Sequence, residues 1–266
     1  MDAFALPTFE LSLSSAGLRD AEGRIQDIRG TLEFARSAQY HAIQLNAADP
    51  LTRPRDLGRS ARRDLAAHIR RHELRCSGID LWIPKAHFSD ETRVDRVVGA
   101  LGDAVQFVAD LAELTNGERI LSCAIPWQSG GAVLAEVAAR AAAVDVVVAN
   151  HIYPWPETVV PEGPVRVGVD PAEIILASAD PAQAVSEATS SGLLASARLC
   201  DLASSGRVAP GEGALDLLSY RVALSTGSRA GPLIVDVRGL SSNAGDAGQL
   251  GVARLLAEEF GHPRST

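Results

Sequence analysis

Lysine is almost missing from this sequence: Lys85 is the only one among 25 basic residues. Positive charge therefore rests on arginine, which stays protonated and cannot form an imine, so Schiff-base chemistry would fall to Lys85 alone. Cysteine is scarce as well. Cys76, Cys123 and Cys200 form no CxxC pair, which removes disulfide frameworks and cysteine zinc sites and leaves buried, reduced thiols. No apolar run approaches the ~20 residues that cross a bilayer, and Met1 to Leu6 lacks the basic-then-apolar order of a secretion leader. A cytoplasmic protein without a membrane partner is expected. A net charge of -8 opposes non-specific binding to nucleic acid, and no nucleic-acid partner is expected. No HExxH motif and no Ser-His-Asp order occurs. Gly211-Glu-Gly213 lacks the GxGxxG pattern and reads as a tight turn.

What is present suits one large globular unit. The chain has 266 residues, 46% hydrophobic and 22% charged, within the range of an α/β barrel folding as a single domain over residues 1–266. Strand-like and helix-like runs alternate throughout, the pattern of stacked βα units and a parallel sheet. Eight short runs rich in Val, Ile and Leu read as strands: Phe9 to Ser15, Ala42 to Ala47, Arg75 to Trp82, Arg119 to Ile125, Val144 to Asn150, Val165 to Asp170, Ala195 to Asp201 and Pro232 to Arg238. Eight such units predict a (β/α)8 TIM barrel. The clearest helix begins near Thr92, with Val94, Val97, Val98, Leu101, Val105, Val108 and Leu111 at three- and four-residue spacing, and ends at Asn116-Gly117. Arg59 to His72 is a second helix, its arginine-rich side either a solvated face or a phosphate-binding surface. Between Ile152 and Pro164 four prolines fall within thirteen residues, which forbids a regular helix and predicts that the helix between strands five and six is reduced to a loop. Tyr153 and Trp155 either plug that gap or stack on a ligand.

Several polar residues stand at strand ends, where a barrel's inward side chains converge. Gln44 and Asn46 share a face of the second strand, suited either to sugar hydroxyls or to loop capping. Trp82, Lys85 and His87 follow the third strand and read either as mouth residues or as a surface loop. Alternation places Ser196, Arg198 and Cys200 on one side of the seventh strand. Asp201 is expected to fix the following loop and Asp216 to cap a helix.

The segments His41-Ala-Ile-Gln-Leu-Asn46, Leu74 to Trp82, Val167-Gly-Val-Asp-Pro-Ala172, Ala197-Arg-Leu-Cys-Asp201, Val208-Ala-Pro-Gly-Glu-Gly-Ala-Leu-Asp216 and Leu233-Ile-Val-Asp-Val-Arg238 resemble, in order and spacing, the xylose-isomerase-like barrels of the sugar phosphate isomerase and epimerase superfamily. The resemblance implies a divalent metal, Mn2+ or Mg2+, held by Glu, Asp, His and Glu on strands five to eight, with two carboxylates moving the proton of a carbon beside a carbonyl. Matched residue by residue, the fifth-strand Glu falls on Ala149, the sixth-strand Asp on Asp170, the seventh-strand His on Arg198 and the eighth-strand Glu on Asp236. Arginine cannot coordinate a metal. A metal would therefore need Asp170, Asp236, His151 and Glu173, and no other cofactor is expected. Two functions remain open. One is a sugar or sugar-phosphate isomerase or epimerase with Asp170, Asp236, Glu173 and His151 as its proton-transfer groups and Arg198, Gln44, Asn46, Trp82, His87 and Arg238 as ligand contacts. The other is a non-catalytic or metal-independent barrel that binds a carbohydrate-like ligand or a protein partner, with Arg198 paired to Asp170, Glu173 or Asp236 in place of the cation. Either is compatible with a homo-oligomer.

Overall fold

Strands buried on both faces need no alternation, and the short apolar runs build accordingly. A computed structural model describes residues 6–19, 27–227, 231–240 and 248–262; the ends of the 1–266 span lie outside the described residues. Its strands are β1 (Leu11–Ser14), β2 (Ala42–Asn46), β3 (Arg75–Leu81), β4 (Ile120–Cys123), β5 (Val147–Asn150), β6 (Val165–Val169), β7 (Leu194–Leu199), β8 (Asp201–Ala203), β9 (Gly206–Val208) and β10 (Leu233–Val235). Its helices are α1 (Ile28–Ser37), α2 (Arg59–Arg71), α3 (Val94–Thr115), α4 (Gly131–Ala143), α5 (Pro171–Leu176), α6 (Pro181–Ser190), α7 (Leu217–Ser225) and α8 (Gly248–Phe260). Eight strands close into a barrel in the order β1-β10-β7-β6-β5-β4-β3-β2, all in parallel. The expected (β/α)8 architecture is present.

Most strands are one to three residues shorter at an end than expected, and two of these shifts bear on the topology. The fifth strand starts at Val147 rather than Val144, because α4 runs to Ala143 and Asp145 takes a left-handed turn conformation (φ 54°). The seventh ends at Leu199, and Asp201 instead opens the antiparallel hairpin β8–β9. Residues 151–164 carry no helix, as the proline density requires. Trp155 sits edge-on to Tyr153 with ring centroids 5.0 Å apart, both packed on the core. The next connection carries two helices, α5 and α6, instead of one.

Outward strand residues such as Leu13, Ile43, Leu121, Val148, Val167 and Leu199 are fully buried under the helices. On α3 the predicted stripe is the buried face, and Asn116 ends the helix in the left-handed conformation (φ 51°). The lumen is different, because small polar side chains occupy it. The Ser12 and Ser77 hydroxyls are 2.6 Å apart, and Gln44 donates to the Ser122 hydroxyl at 3.1 Å. Each bond joins strands that are not neighbours, so each crosses the interior. Ser77 and Asp80 are three residues apart, yet both face inward, because β3 bulges at Gly78. There Cys76 pairs with Ile43 and Ile79 with Leu45, three residues on β3 against two on β2. Gly78 has φ 125°, and a Cβ would lie 2.4 Å from the Ile120 carbonyl oxygen, so only glycine fits.

Candidate functional site at the barrel mouth

At the carboxyl ends of the strands the small polar layer gives way to charge. Arg198 of β7 is fully buried, the largest such side chain. Its Nη1 donates to Asp236 Oδ2 at 2.7 Å, and its Nη2 donates to Asp80 Oδ1 and to Gln44 Oε1, both at 3.1 Å. It thus bridges β10, β3 and β2 from across the barrel. From α7, the Tyr220 hydroxyl donates to the Arg198 carbonyl at 2.8 Å and fixes its backbone. Arg238 Nη2 lies 2.7 Å from Asp236 Oδ2 and 2.9 Å from Asp80 Oδ2. Arg207, on the β8–β9 hairpin, donates to Asp170 Oδ2 at 2.7 Å and has its second nitrogen 3.6 Å from Asp236. Three guanidiniums thus meet three carboxylates, a balance that charges removed from water require. Trp82 lies over the cluster, 5.4 Å from the Arg198 guanidinium carbon and 4.7 Å from that of Arg238.

Burial alone would push the Asp170 carboxyl up, but Arg207 and Arg198 hold it at about 2. Asp236 follows the same balance, with Arg238, Arg198 and Arg207 carrying it still lower. Both stay ionised. Asp170 also caps α5, accepting from the Ala172 amide at 3.0 Å, and accepts from the Cys200 thiol at 3.1 Å. His151 is the exception in this layer. Burial, and then Arg198, hold its pKa well below the ordinary histidine value, so the imidazole is neutral, and neither ring nitrogen has a hydrogen-bond partner.

The imidazole fits only because residue 168 is glycine. A Cβ there would lie 2.5 Å from His151 Cδ2 and Nε2. Gly168→Ala should therefore cost about 1–3 kcal/mol in urea unfolding, and most of that cost should vanish in a His151→Ser background. Equal costs in both backgrounds would refute the contact.

The expected residues divide into those the mouth gathers and those it does not. Asp170, Asp236, Arg198, Arg238, His151 and Trp82 share the charged layer. Gln44 lies deeper, fully buried, where it holds Arg198. Asn46 is a turn cap, its Oδ1 accepting from the Ala48 amide at 3.0 Å. Glu173 is at the rim with Lys85 Nζ at 2.9 Å, not in the cluster, and the half-buried His87, on the 3-10 turn Lys85–Phe88, pairs with Arg93. Asp201 does fix its loop, accepting from the amides of Gly211, Gly213 and Leu215, and Asp216 caps α7 through the Ser219 amide at 3.0 Å. Two members of the cluster were missed, Asp80 and Arg207. The signal for Asp80 was a lone charge two residues before Trp82 on the same strand. For Arg207 there was only the Ser204-Ser205-Gly206 turn.

No family model and no curated protein matches the sequence, but solved structures do. A xylose isomerase domain protein from Alicyclobacillus acidocaldarius superposes with a TM-score of 0.67 at 15% identity, covering 94% of this chain and 97% of its own. The chain has the fold of the xylose-isomerase-like barrels. The IolI protein with a binding zinc atom gives 0.67 at 15% identity over 95% of this chain and 100% of its own. D-psicose 3-epimerase from Clostridium cellulolyticum, solved with D-tagatose, gives 0.66 at 15% identity over the same shares.

The residues at this mouth do not fit the divalent metal that the resemblance implies. Asp236 faces all three guanidiniums, Asp170 accepts from Arg207, Cys200 and Ala172, and Glu173 is turned to Lys85. Among the described residues no three His, Cys, Asp or Glu side chains are grouped to hold an ion. The reason is electrostatic: the Arg198 guanidinium fills the centre with a fixed positive charge.

Proposed function

We propose that this protein is a metal-independent xylose-isomerase-like barrel that binds a small carbohydrate-like molecule at its mouth, working in the cytoplasm as one domain. The observation that carries this reading is Arg198, fully buried and bonded to Asp236, Asp80 and Gln44. A permanent cation there neutralises the carboxylates that a metal would otherwise need. The half-buried Trp82 indole offers a flat apolar face of the kind that stacks on sugar rings. That D-psicose 3-epimerase, a protein of the same fold, was solved with D-tagatose supports the ligand class.

Purified protein should carry no stoichiometric divalent metal by elemental analysis, EDTA should leave its Tm unchanged, and ketohexoses such as D-tagatose should raise Tm saturably. One tightly held divalent ion per chain would overturn the metal-free part. Failure of any sugar to bind would overturn the ligand class. A second reading, isomerisation by proton transfer beside a carbonyl, draws on His151, whose neutral, unpartnered ring can donate a hydrogen bond to a carbonyl oxygen without a metal. Turnover of a ketose that is lost in His151→Phe, with binding retained, would distinguish it from binding alone.

A further inference from the structure

Arginine is concentrated in one stretch of this acidic chain. Residues 51–75 hold eight arginines against three acids, in a protein of net charge -8. The stretch leads from the end of β2 through α2, and it borders a cavity of about 430 Å³ that lies outside the barrel ring on the mouth side. Ala47, Pro54 and Leu81 give it an apolar floor, all three buried. Arg53, Arg55 and Arg96 stand around it, with Asp103 the one acid on its lining.

The wall of this cavity is built, not a chance gap between loops. Arg53 and Arg55 flank Pro54 at the 3-10 turn Pro54–Asp56. Arg62 of α2 ties that turn down, donating to the carbonyls of Leu57 and Pro54 at 2.9 Å each and pairing with Asp110 of α3 at 2.5 Å. On the opposite side α3 presents Gly99, where an added Cβ would meet nothing within 4 Å. Glycine in a helix interior is unfavourable relative to alanine, and at Gly99 it leaves the α3 side of the cavity without a side chain. Among the described residues Arg55 is engaged only by Asp56 at 3.8 Å, and Arg53 by Asp56 at 3.3 Å and by the Ala48 carbonyl, to which it donates at 3.4 Å.

We propose that this cavity is a binding site for an amphipathic anion, an organic phosphate or carboxylate whose apolar body lies on Ala47, Pro54 and Leu81 while Arg53, Arg55 and Arg96 take the charged group. The guanidinium fork suits either oxyanion. The apolar floor distinguishes the site from a surface that merely attracts counter-ions, because it recognises a body as well as a charge. It is separate from the Arg198 cluster and does not depend on the reading of the mouth.

Calorimetry with phenyl phosphate, benzoate, inorganic phosphate and phenol tests it. Phenyl phosphate or benzoate should bind saturably and more tightly than phenol, phenyl phosphate also more tightly than inorganic phosphate, and the tighter of the two identifies the oxyanion. Affinity should fall as salt rises. Arg96→Ala should weaken binding about tenfold. Gly99→Leu should abolish it without lowering Tm, since leucine fills open space and favours the helix, and Ala100→Met on the same exposed rim serves if the first variant folds poorly. Phenol binding as tightly as phenyl phosphate, unchanged affinity in the occluded variants, or no saturable binding of either anion would overturn the proposal.

Discussion

Arg198→Met should destabilise the protein by about 3–5 kcal/mol, because removing one member of a buried ion cluster leaves its partners as uncompensated charge. Methionine matches much of the arginine volume, so the loss reports charge rather than a cavity. Three bonds vanish together, those to Asp236, Asp80 and Gln44. Their weights differ. Asp236 keeps Arg238 at 2.7 Å and Arg207 at 3.6 Å, whereas Asp80 keeps only Arg238 at 2.9 Å. Asp80 is thus the carboxylate left most exposed to the loss. Adding Asp80→Asn to Arg198→Met restores the charge balance and should recover at least half of the stability, while Asp80→Asn alone should itself destabilise. Urea unfolding, which does not screen charge as guanidinium salts do, measures all three. A single Arg198→Met variant within 1 kcal/mol of the parent would show that the cluster is not the electrostatic unit the distances describe.

The architecture was legible because its determinants are local. Parallel strands covered on both faces are runs of Val, Ile and Leu, and four prolines between Ile152 and Pro164 erase a helix wherever they fall. Arg198 falls in the mouth both by its match to the seventh-strand His and by alternation along the strand. The other cluster members illustrate what alternation cannot carry. Counted from Ser77, which faces the lumen, Asp80 would face outward, and the bulge at Gly78 reverses that. Arg207 reaches the mouth on a hairpin with strands of three residues, too short to show any period. Glu173 joins the reacting groups only through the resemblance, at the position three residues after Asp170, but its partner is Lys85, 88 residues earlier in the chain. Pairing over such separations depends on the closed barrel, which brings β3 and β6 to one rim.

Charge balance in the mouth also explains how the fold keeps three carboxylates out of water. A divalent ion and an arginine are alternative ways to neutralise clustered carboxylates. Here Arg198 on β7 supplies the cation covalently, and Arg207 and Arg238 neutralise what remains. The result is a layer in which Arg198, Asp80, Asp170 and Asp236 are each at most 1% exposed. Such a layer is costly to open, so a ligand held by binding alone is expected to engage Trp82, Arg207 and Arg238 at the top, whereas the second reading requires the layer to open as far as His151, itself 1% exposed.

Acid should unfold this protein in two separable stages. His151 has a folded pKa below its ordinary value, so the native state binds fewer protons than the unfolded chain once pH falls below ~6.5. Its contribution is complete above that pH and is lost as pH falls, with a limiting slope of ~1.4 kcal/mol per pH unit. The second stage belongs to the carboxylates. Asp170, held at about 2 against burial by Arg207 and Arg198, contributes stability that is present above an unfolded pKa of ~3.9 and lost between there and about 2, worth ~2 kcal/mol. Asp236 acts in the same direction at lower pH. Urea unfolding at pH 7.5, 5.5, 4 and 3 should therefore show a first decline below pH ~6.5 and a steeper one below ~4. His151→Phe keeps an aromatic ring and removes the titration, along with two unpaired buried nitrogens. It should be no less stable than the parent at pH 7.5, lose the first decline and retain the second. Asp170→Asn should do the reverse, lowering stability at neutral pH while flattening the second decline. If the slope between pH 6.5 and 5 survives in His151→Phe, the imidazole is not held neutral in this barrel, and its assignment as a neutral hydrogen-bond donor fails with it.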